Sequence, residues 1–335
     1  MKEIFDLEES KLREEIVRRG AKRVLIQLPE GLKGEAPRLT AIIEDAGALA
    51  IVSADPCYGA CDLVIHDAES LSADLIVHYG HTELIESKET PVIYFEARAR
   101  IDVKKVVEEA LPLLELWKRI GLVTTVQHIN KLDDARKMLN EAGKTVVVGD
   151  AGRMRYPGQI IGCDYSNAES IKDEVEAFLF LGGGTFHPLG LAIDVMKPTI
   201  VADIYEGRAY SVDLEVQKII KKRWACISKA QESKNFGVLI GLKPGQRNIE
   251  VSLKIRDLLV EDGKKATLLA LKEINNNVLL QFPAIEAFVN TACPRISFDE
   301  FQRPVLTIGE ALVMLGKIKW ESLLSEGWFR RYHTM

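Results

Sequence analysis

The chain has 335 residues, 47% of them hydrophobic and 28% charged, with a formal net charge of −5. That length holds two or three cores rather than one, and the acidic balance excludes the basic field of a nucleic-acid binder. No apolar run approaches a membrane span and no apolar leader opens the chain, so the expected location is cytoplasmic, with neither membrane nor nucleic acid as partner.

Taken in order, Met1 to Arg19 is charged and helical in pattern. The β-branched run Arg23 to Leu28 predicts a strand that closes in Pro29-Glu30-Gly31. A helix over Glu35–Asp45 follows, capped by Ala46-Gly47. Ala48 to Val52 predicts the second strand and leads into Asp55-Pro56-Cys57-Tyr58-Gly59-Ala60-Cys61-Asp62. A helix over Leu63–Leu71, a third strand over Ala73–His78 and a fourth over Val92–Phe95, introduced by Pro91, complete the round. Strands alternating with helices predict parallel pairing in an α/β layer.

The same order returns twice. The second round has strands at Ile120–Thr125, Thr145–Val148, Glu176–Leu181 and Thr199–Ala202, with Ala142-Gly143 as cap and Pro198 before the fourth strand. Its turn ends in Gly162-Cys163-Asp164. Cys61-Asp62 is followed by Asp67-Ala68-Glu69-Ser70-Leu71, and Cys163-Asp164 by Asn167-Ala168-Glu169-Ser170-Ile171, which makes Asp67 and Asn167 candidate helix N-caps. The third round has strands at Phe236–Ile240, Ala266–Ala270, Ile285–Val289 and Pro304–Leu306, with Asp262-Gly263 as cap. It lacks the cysteine turn after its second strand, and its thiol, Cys293, stands one strand later in Thr291-Ala292-Cys293-Pro294-Arg295. Amphipathic helices over Ile101–Lys118 and Leu214–Glu232 connect the rounds.

The fold expected is therefore α/β: three repeated Rossmann-like domains, each a small mostly parallel four-stranded sheet with flanking helices, in pseudo-threefold arrangement around a central site. Their bounds are 1–100 with Cys61, 101–207 with Cys163, and 208–335 with Cys293 and the C-terminal tail. Ligands in open α/β sheets sit at the carboxyl ends of strands, where all three thiols are placed. Three converging thiolates would leave one position of a metal centre open, and soft thiolates suit an iron–sulfur cluster or zinc. The plain alternative is five idle cysteines in a small-molecule binding protein, since the chain has no C-x-x-C pair and no disulfide framework.

Tyr58-Gly59-Ala60-Cys61-Asp62, Tyr156-Pro157-Gly158-Gln159 with Gly162-Cys163, Phe186-His187-Pro188-Leu189-Gly190 and Ala292-Cys293-Pro294-Arg295 together resemble the 2-(3-amino-3-carboxypropyl)histidine synthases of diphthamide biosynthesis, most of all the archaeal homodimeric form. The resemblance runs from about Lys22 to Val313 and implies a [4Fe–4S] cluster held by Cys61, Cys163 and Cys293, with S-adenosylmethionine bound at the unique iron. It implies cleavage of the bond between sulfur and the γ-carbon, a 3-amino-3-carboxypropyl radical added to C2 of a histidine of translation elongation factor 2, and methylthioadenosine as by-product. A homodimer and a separate electron donor are further expectations. The motif favours Cys61 over Cys57 as ligand. Gly182, Gly183, Gly184, His187 and Arg295 are candidate cofactor contacts: the glycines through close backbone approach, Arg295 through a bidentate pair with a carboxylate. A tight turn, a packed histidine and a structural ion pair are the respective alternatives. His78 and His81 are expected to line the pocket or satisfy local hydrogen bonds, and Cys226 to be core. A second enzymatic reading is a dehydratase resembling quinolinate synthase, with the cluster as Lewis acid.

Overall fold

The computed structural model describes residues 4–329, apart from the side chains of residues 297 and 298. The chain forms two compact units. The first runs to Ile101 and includes Val126–Asn130 and Lys243–Gly245; the second is the remainder.

In the first unit the strands are β1 (Phe5–Asp6), β2 (Arg23–Gln27), β3 (Leu49–Val52), β4 (Leu75–Tyr79), β5 (Val92–Phe95) and β6 (Arg98–Ala99). A parallel sheet has the order β3-β2-β4-β5. β1 pairs antiparallel with β6, so the helix expected from Met1 begins only at Glu9 and ends at Arg19. Alternation along β2 separates two cores. Val24 and Ile26 pack with Leu12, Ile16, Leu39 and Ile43 of the helices Glu9–Arg19 and Ala36–Asp45. Leu25 faces the other way, with Ile65 and Ala68 of Ile65–Ser70.

The second unit holds two sheets. The first contains β7 (Arg119–Thr124), β8 (Thr145–Val147), β9 (Ala177–Gly182), β10 (Thr199–Asp203) and β11 (Arg208–Ser211), in the order β11-β10-β9-β7-β8 with only β11 antiparallel. The other contains β12 (Asn235–Gly241), β13 (Lys265–Leu271), β14 (Ala287–Asn290) and β15 (Val305–Thr307), in the parallel order β13-β12-β14-β15. All three sheets thus share one order: second strand, first, third, fourth.

The repetition extends to single hydrogen bonds. Gly47, Gly143 and Gly263 each adopt positive φ just past a helix, and the next residue's N–H reaches back to Ile43, Leu139 or Leu259, the glycine-terminated ending expected from the sequence. Pro91, Pro198 and Pro304 precede the fourth strands, and their carbonyls accept from Ile76, Phe178 and Phe288 of the third. Proline suits the residue just before a strand, where its missing N–H costs no ladder hydrogen bond. Asp74, Glu176 and Glu286 each take the two backbone N–H groups at the start of their sheet's first strand. Gly121 and Gly237 pair in register with Phe178 and Phe288, and a Cβ on either glycine would stand 2.4 or 2.6 Å from the phenyl ring. The equivalent pair in the first sheet is Leu25 with Ile76, the same volume divided differently.

Two N-cap expectations fail. Asp67 lies third in the helix Ile65–Ser70, and Asn167 second in the helix Ser166–Ile171. The second helix starts early because Asp164 Oδ1 already accepts from the Ser166 N–H at 2.9 Å. The connector expected over Ile101–Lys118 is helical only over Lys104–Leu113, where Asp102 Oδ1 accepts the Lys104 N–H and sets the start. The other connector, Asp213–Gln231, carries Arg223, whose guanidinium meets Glu310 inside the unit at 2.7 Å. Trp320 packs against two cores of the second unit, and Trp328 and Phe329 are buried in one of them. The tail to Phe329 is therefore core; His333 lies outside the described residues. Cys226, expected as core, is half-buried on Asp213–Gln231 with Sγ 3.9 Å from the Val305 carbonyl.

Candidate functional site

No disulfide joins any of the five cysteines. Cys61 belongs to the first unit, Cys163 and Cys293 to the second.

In the first unit the turn after β3 is drawn tight by the Asp62 N–H donating to the Gly59 carbonyl at 3.0 Å. Gln27 Nε2 donates to the Asp62 carbonyl at 2.5 Å, tying the turn to β2. Gly245 donates its N–H to the Cys61 carbonyl at 2.8 Å. A Cβ on Gly245 would fall 2.7 Å from Cys61 Cα, so only glycine permits this approach. Lys243, almost fully buried, places Nζ 2.8 Å from Asp62 Oδ2 and 4.4 Å from the centre of the Tyr58 ring. A fixed cation thus stands beside the residue that follows Cys61.

Behind this turn Cys57 is buried, and its N–H donates to Glu30 Oε1 at 3.2 Å. Burial pushes the Cys57 thiol up to about 12. His78, at the end of β4, places Nδ1 2.9 Å from Gln27 Oε1 and Nε2 2.9 Å from His81 Nδ1. Burial holds both imidazoles neutral, His81 down to about 4 and His78 well below the ordinary range. The expected local hydrogen bonding of these histidines is present. Their grouping with Cys57 is not visible in the spacing. His66 lies exposed beside Glu69, and His128 is buried.

In the second unit Gly162 and Cys163 close the long turn after β8. A Cβ on Gly162 would stand 2.2 Å from the Phe186 ring, so that ring lies flush against the backbone beside the thiol. Asp164 is buried and pairs with Arg153. Tyr165 is fully buried, and its hydroxyl has no hydrogen-bond partner among the described residues. Its ionisation is pushed far up by burial, then by the charges of Asp194, Cys163 and Cys293. Cys293 sits past the end of β14, where Asn290 holds the turn: its Nδ2 donates to the Cys293 carbonyl at 2.7 Å and its Oδ1 accepts the Ala292 N–H at 2.9 Å. Arg295 lays its guanidinium 5.8 Å from the centre of Phe186 and pairs with Asp299 at 3.6 Å.

The glycine run is a strand-to-helix turn. Gly182 ends β9, the Tyr205 ring covers Gly183, and Gly184 donates its N–H to Asp203 Oδ2 at 3.2 Å. Asp203 Oδ1 takes the N–H groups of Tyr205 and Glu206, both at 3.0 Å. His187, in the helix Phe186–Val195, stacks 6.2 Å from Phe180 and meets Phe186 edge-on at 5.2 Å. Phe186 thereby contacts residues beside both thiols of this unit. Lys243 and Tyr165 went unread in the sequence; the signal for the first was Lys243-Pro244-Gly245-Gln246 just beyond the carboxyl end of β12.

These residues fit an iron–sulfur cluster by their chemistry. Cys61, Cys163 and Cys293 are half-buried and lie beyond sheet strands, whereas Cys57 is buried and half-buried Cys226 lies on a helix. Cationic Lys243 and Arg295 are close in space or sequence to Cys61 and Cys293, and the buried Tyr165 hydroxyl, just past Cys163 in the chain, has no hydrogen-bond partner among the described residues. Soft thiolates and nearby positive charge suit an anionic cluster.

An α/β protein with one strand order built three times and thiols beyond its strands is the class that fold and site define. A family model described as "Putative diphthamide synthesis protein" matches residues 28–324. The chain belongs to this diphthamide synthesis family, whose named relatives are transferases. It is 37% identical over 318 residues to the 2-(3-amino-3-carboxypropyl)histidine synthase of Pyrococcus horikoshii, covering 93% of this chain and 91% of that one. It is 32% identical to subunit 1 of the synthase of Schizosaccharomyces pombe, covering 91% of this chain and 72% of the relative. The crystal structure of Dph2 from Pyrococcus horikoshii with a 4Fe-4S cluster superposes with a TM-score of 0.87 at 36% identity, covering 94% and 92% of the two chains. Among the described residues no helix is long and apolar enough to cross a membrane.

Proposed function

We propose that the chain is a 2-(3-amino-3-carboxypropyl)histidine synthase that uses S-adenosylmethionine to modify a histidine of translation elongation factor 2, the first step of diphthamide biosynthesis. The observation that carries this reading is near-full-length similarity to the Pyrococcus synthase, with a thiol beyond a strand of each of the three sheets. Cys61, Cys163 and Cys293 are the proposed ligands of a [4Fe–4S] cluster. When bound, the cluster supplies the electron that breaks the bond between sulfur and the γ-carbon, giving a 3-amino-3-carboxypropyl radical for the imidazole C2 and leaving methylthioadenosine.

The chain's own residues bind and orient. Arg295 offers a guanidinium to the cofactor's carboxylate, and the Phe186 ring beneath it fixes the direction of approach. Gly184 leaves open space where a side chain would stand, and His187 is held by two aromatic rings. Lys243 keeps positive charge beside Asp62, next in the chain to Cys61. Three domains over 1–100, 101–207 and 208–335, a homodimer, a separate electron donor and a cytoplasmic location complete the proposal.

The test is to reduce anaerobically reconstituted protein with dithionite and add S-adenosylmethionine, labelled in its aminocarboxypropyl chain, together with elongation factor 2. Label on one histidine of the factor, matched by methylthioadenosine, is expected. Deoxyadenosine as the nucleoside product, or an unlabelled factor, would overturn it.

A further inference from the structure

Behind the Cys61 turn, and independent of the cluster thiols, three metal-ligating side chains face one another. The ligand atoms of Cys57, His78 and His81 all lie within 4.8 Å of one another. A tetrahedral zinc site spaces its nitrogen and sulfur atoms roughly 3.3–3.6 Å apart, given its bond lengths. The pair of ring nitrogens at 2.9 Å would open by a few tenths of an ångström, and the widest separation would close by about one. Small rotations of side chains suffice.

The outer shell is already built. Gln27 Nε2 donates to the Asp62 carbonyl, which turns Oε1 toward His78. An amide oxygen only accepts, so the hydrogen of His78 lies on Nδ1, 2.9 Å away, and the lone pair of Nε2 points inward at His81 and Cys57. Metal-bound histidines are oriented by this kind of second hydrogen bond. Glu30, which also pairs with Lys33 at 3.3 Å, adds negative charge nearby. Its carboxylate accepts the Cys57 N–H, so a thiolate and a carboxylate together balance a dication.

We infer that Cys57, His78 and His81 form a second metal site, for a borderline divalent cation of the zinc type, with its fourth position open to water. One sulfur and two imidazoles select such an ion over magnesium or calcium, which prefer oxygen. The site ties the turn that carries Cys61 to the end of β4, and Cys57, which the cluster assignment leaves over, becomes its anionic ligand.

Full-length protein carrying its cluster, passed over a chelating resin and then exposed to Zn²⁺ alone, tests this by metal analysis. One zinc per chain is expected in addition to the iron. Cys57→Ser and His81→Gln should each lose that zinc and keep the iron and its brown absorbance, which separates this site from the cluster. Co²⁺ added to a Cys61→Ala/Cys163→Ala/Cys293→Ala chain should give visible d–d bands with a thiolate charge-transfer band, and these should vanish when Cys57→Ser is added. Gln27→Leu, which removes the outer hydrogen bond, should weaken Co²⁺ binding by about 10–100-fold. Substoichiometric zinc in the parent chain overturns the site, even if the single variants fail to fold. Zinc that survives in both single variants, or a Co²⁺ spectrum without thiolate character, overturns it equally.

Discussion

The turns Cys61-Asp62 and Cys163-Asp164 begin from the same dipeptide and are completed differently. Asp62 receives a buried lysine, Lys243, from a loop 181 residues further on. Asp164 receives an arginine from eleven residues earlier, Arg153, whose side chain is 67% exposed. Around Cys61 the packing is glycine, charge and one tyrosine face; around Cys163 it is the rings of Phe186 and Tyr165. The repeated sheet thus determines where a thiol is carried, while the charge and shape around it come from whichever loops reach it. A triplicated scaffold can in this way give chemically equivalent thiols unequal surroundings.

The contrast can be broken first at Lys243. Lys243→Ala leaves the Asp62 carboxylate buried without its partner, and such losses cost about 3–5 kcal/mol. Urea unfolding should show that drop, and Lys243→Met combined with Asp62→Leu should recover much of it. In the second unit the aromatic side is sharpened by Gly190→Ala. The new Cβ would lie 2.0 Å from the Tyr165 hydroxyl, and overpacking of this kind costs about 1–3 kcal/mol, read from the same unfolding curve. Arg153→Ala removes a largely solvated partner and leaves Asp164 the Ser166 N–H, so its cost should be smaller than that of Lys243→Ala. A loss equal to that of Lys243→Ala would erase the distinction between the two turns.

The smallest effect concerns acid. Hydrogen bonds from the Arg119 and Lys118 amides hold Glu176 below the ordinary carboxylate range, and those of Lys234 and Asn235 do so for Glu286. A depressed folded value contributes stability above the unfolded value of about 4.3 and loses it as pH falls through the folded one. Glu176→Gln and Glu286→Gln should therefore lower the thermal midpoint slightly at pH 7 and converge with the parent chain near pH 3. A gap that widens in acid would contradict the hydrogen bonding described.

Much of this architecture was legible in the chain because its signals are local. Glycine after a helix, proline before the fourth strand and β-branched runs act within a few residues, and all three recur where expected. Asn167 misled because a carboxylate just upstream, Asp164, had already started the helix, and Asp67 because its helix begins two residues earlier, at Ile65, with no side-chain cap. Lys243 and Tyr165 were illegible for another reason. A lysine in a loop and a tyrosine after Cys-Asp carry no periodic signal, and their roles depend on neighbours distant in sequence. The same holds for Cys57 with His78 and His81, drawn together by the parallel pairing of β2 with β3 and β4.

The central claim is that sulfurs 61, 163 and 293 act as one ligand set. Iron content and the electron paramagnetic resonance signal of dithionite-reduced protein, compared across Cys61→Ala, Cys163→Ala, Cys293→Ala and Cys57→Ala, test it most directly. Each of the first three should lose the signal of the parent cluster and most of its iron, while the fourth keeps both. Full signal in any of the first three, or its loss in Cys57→Ala alone, would contradict the account.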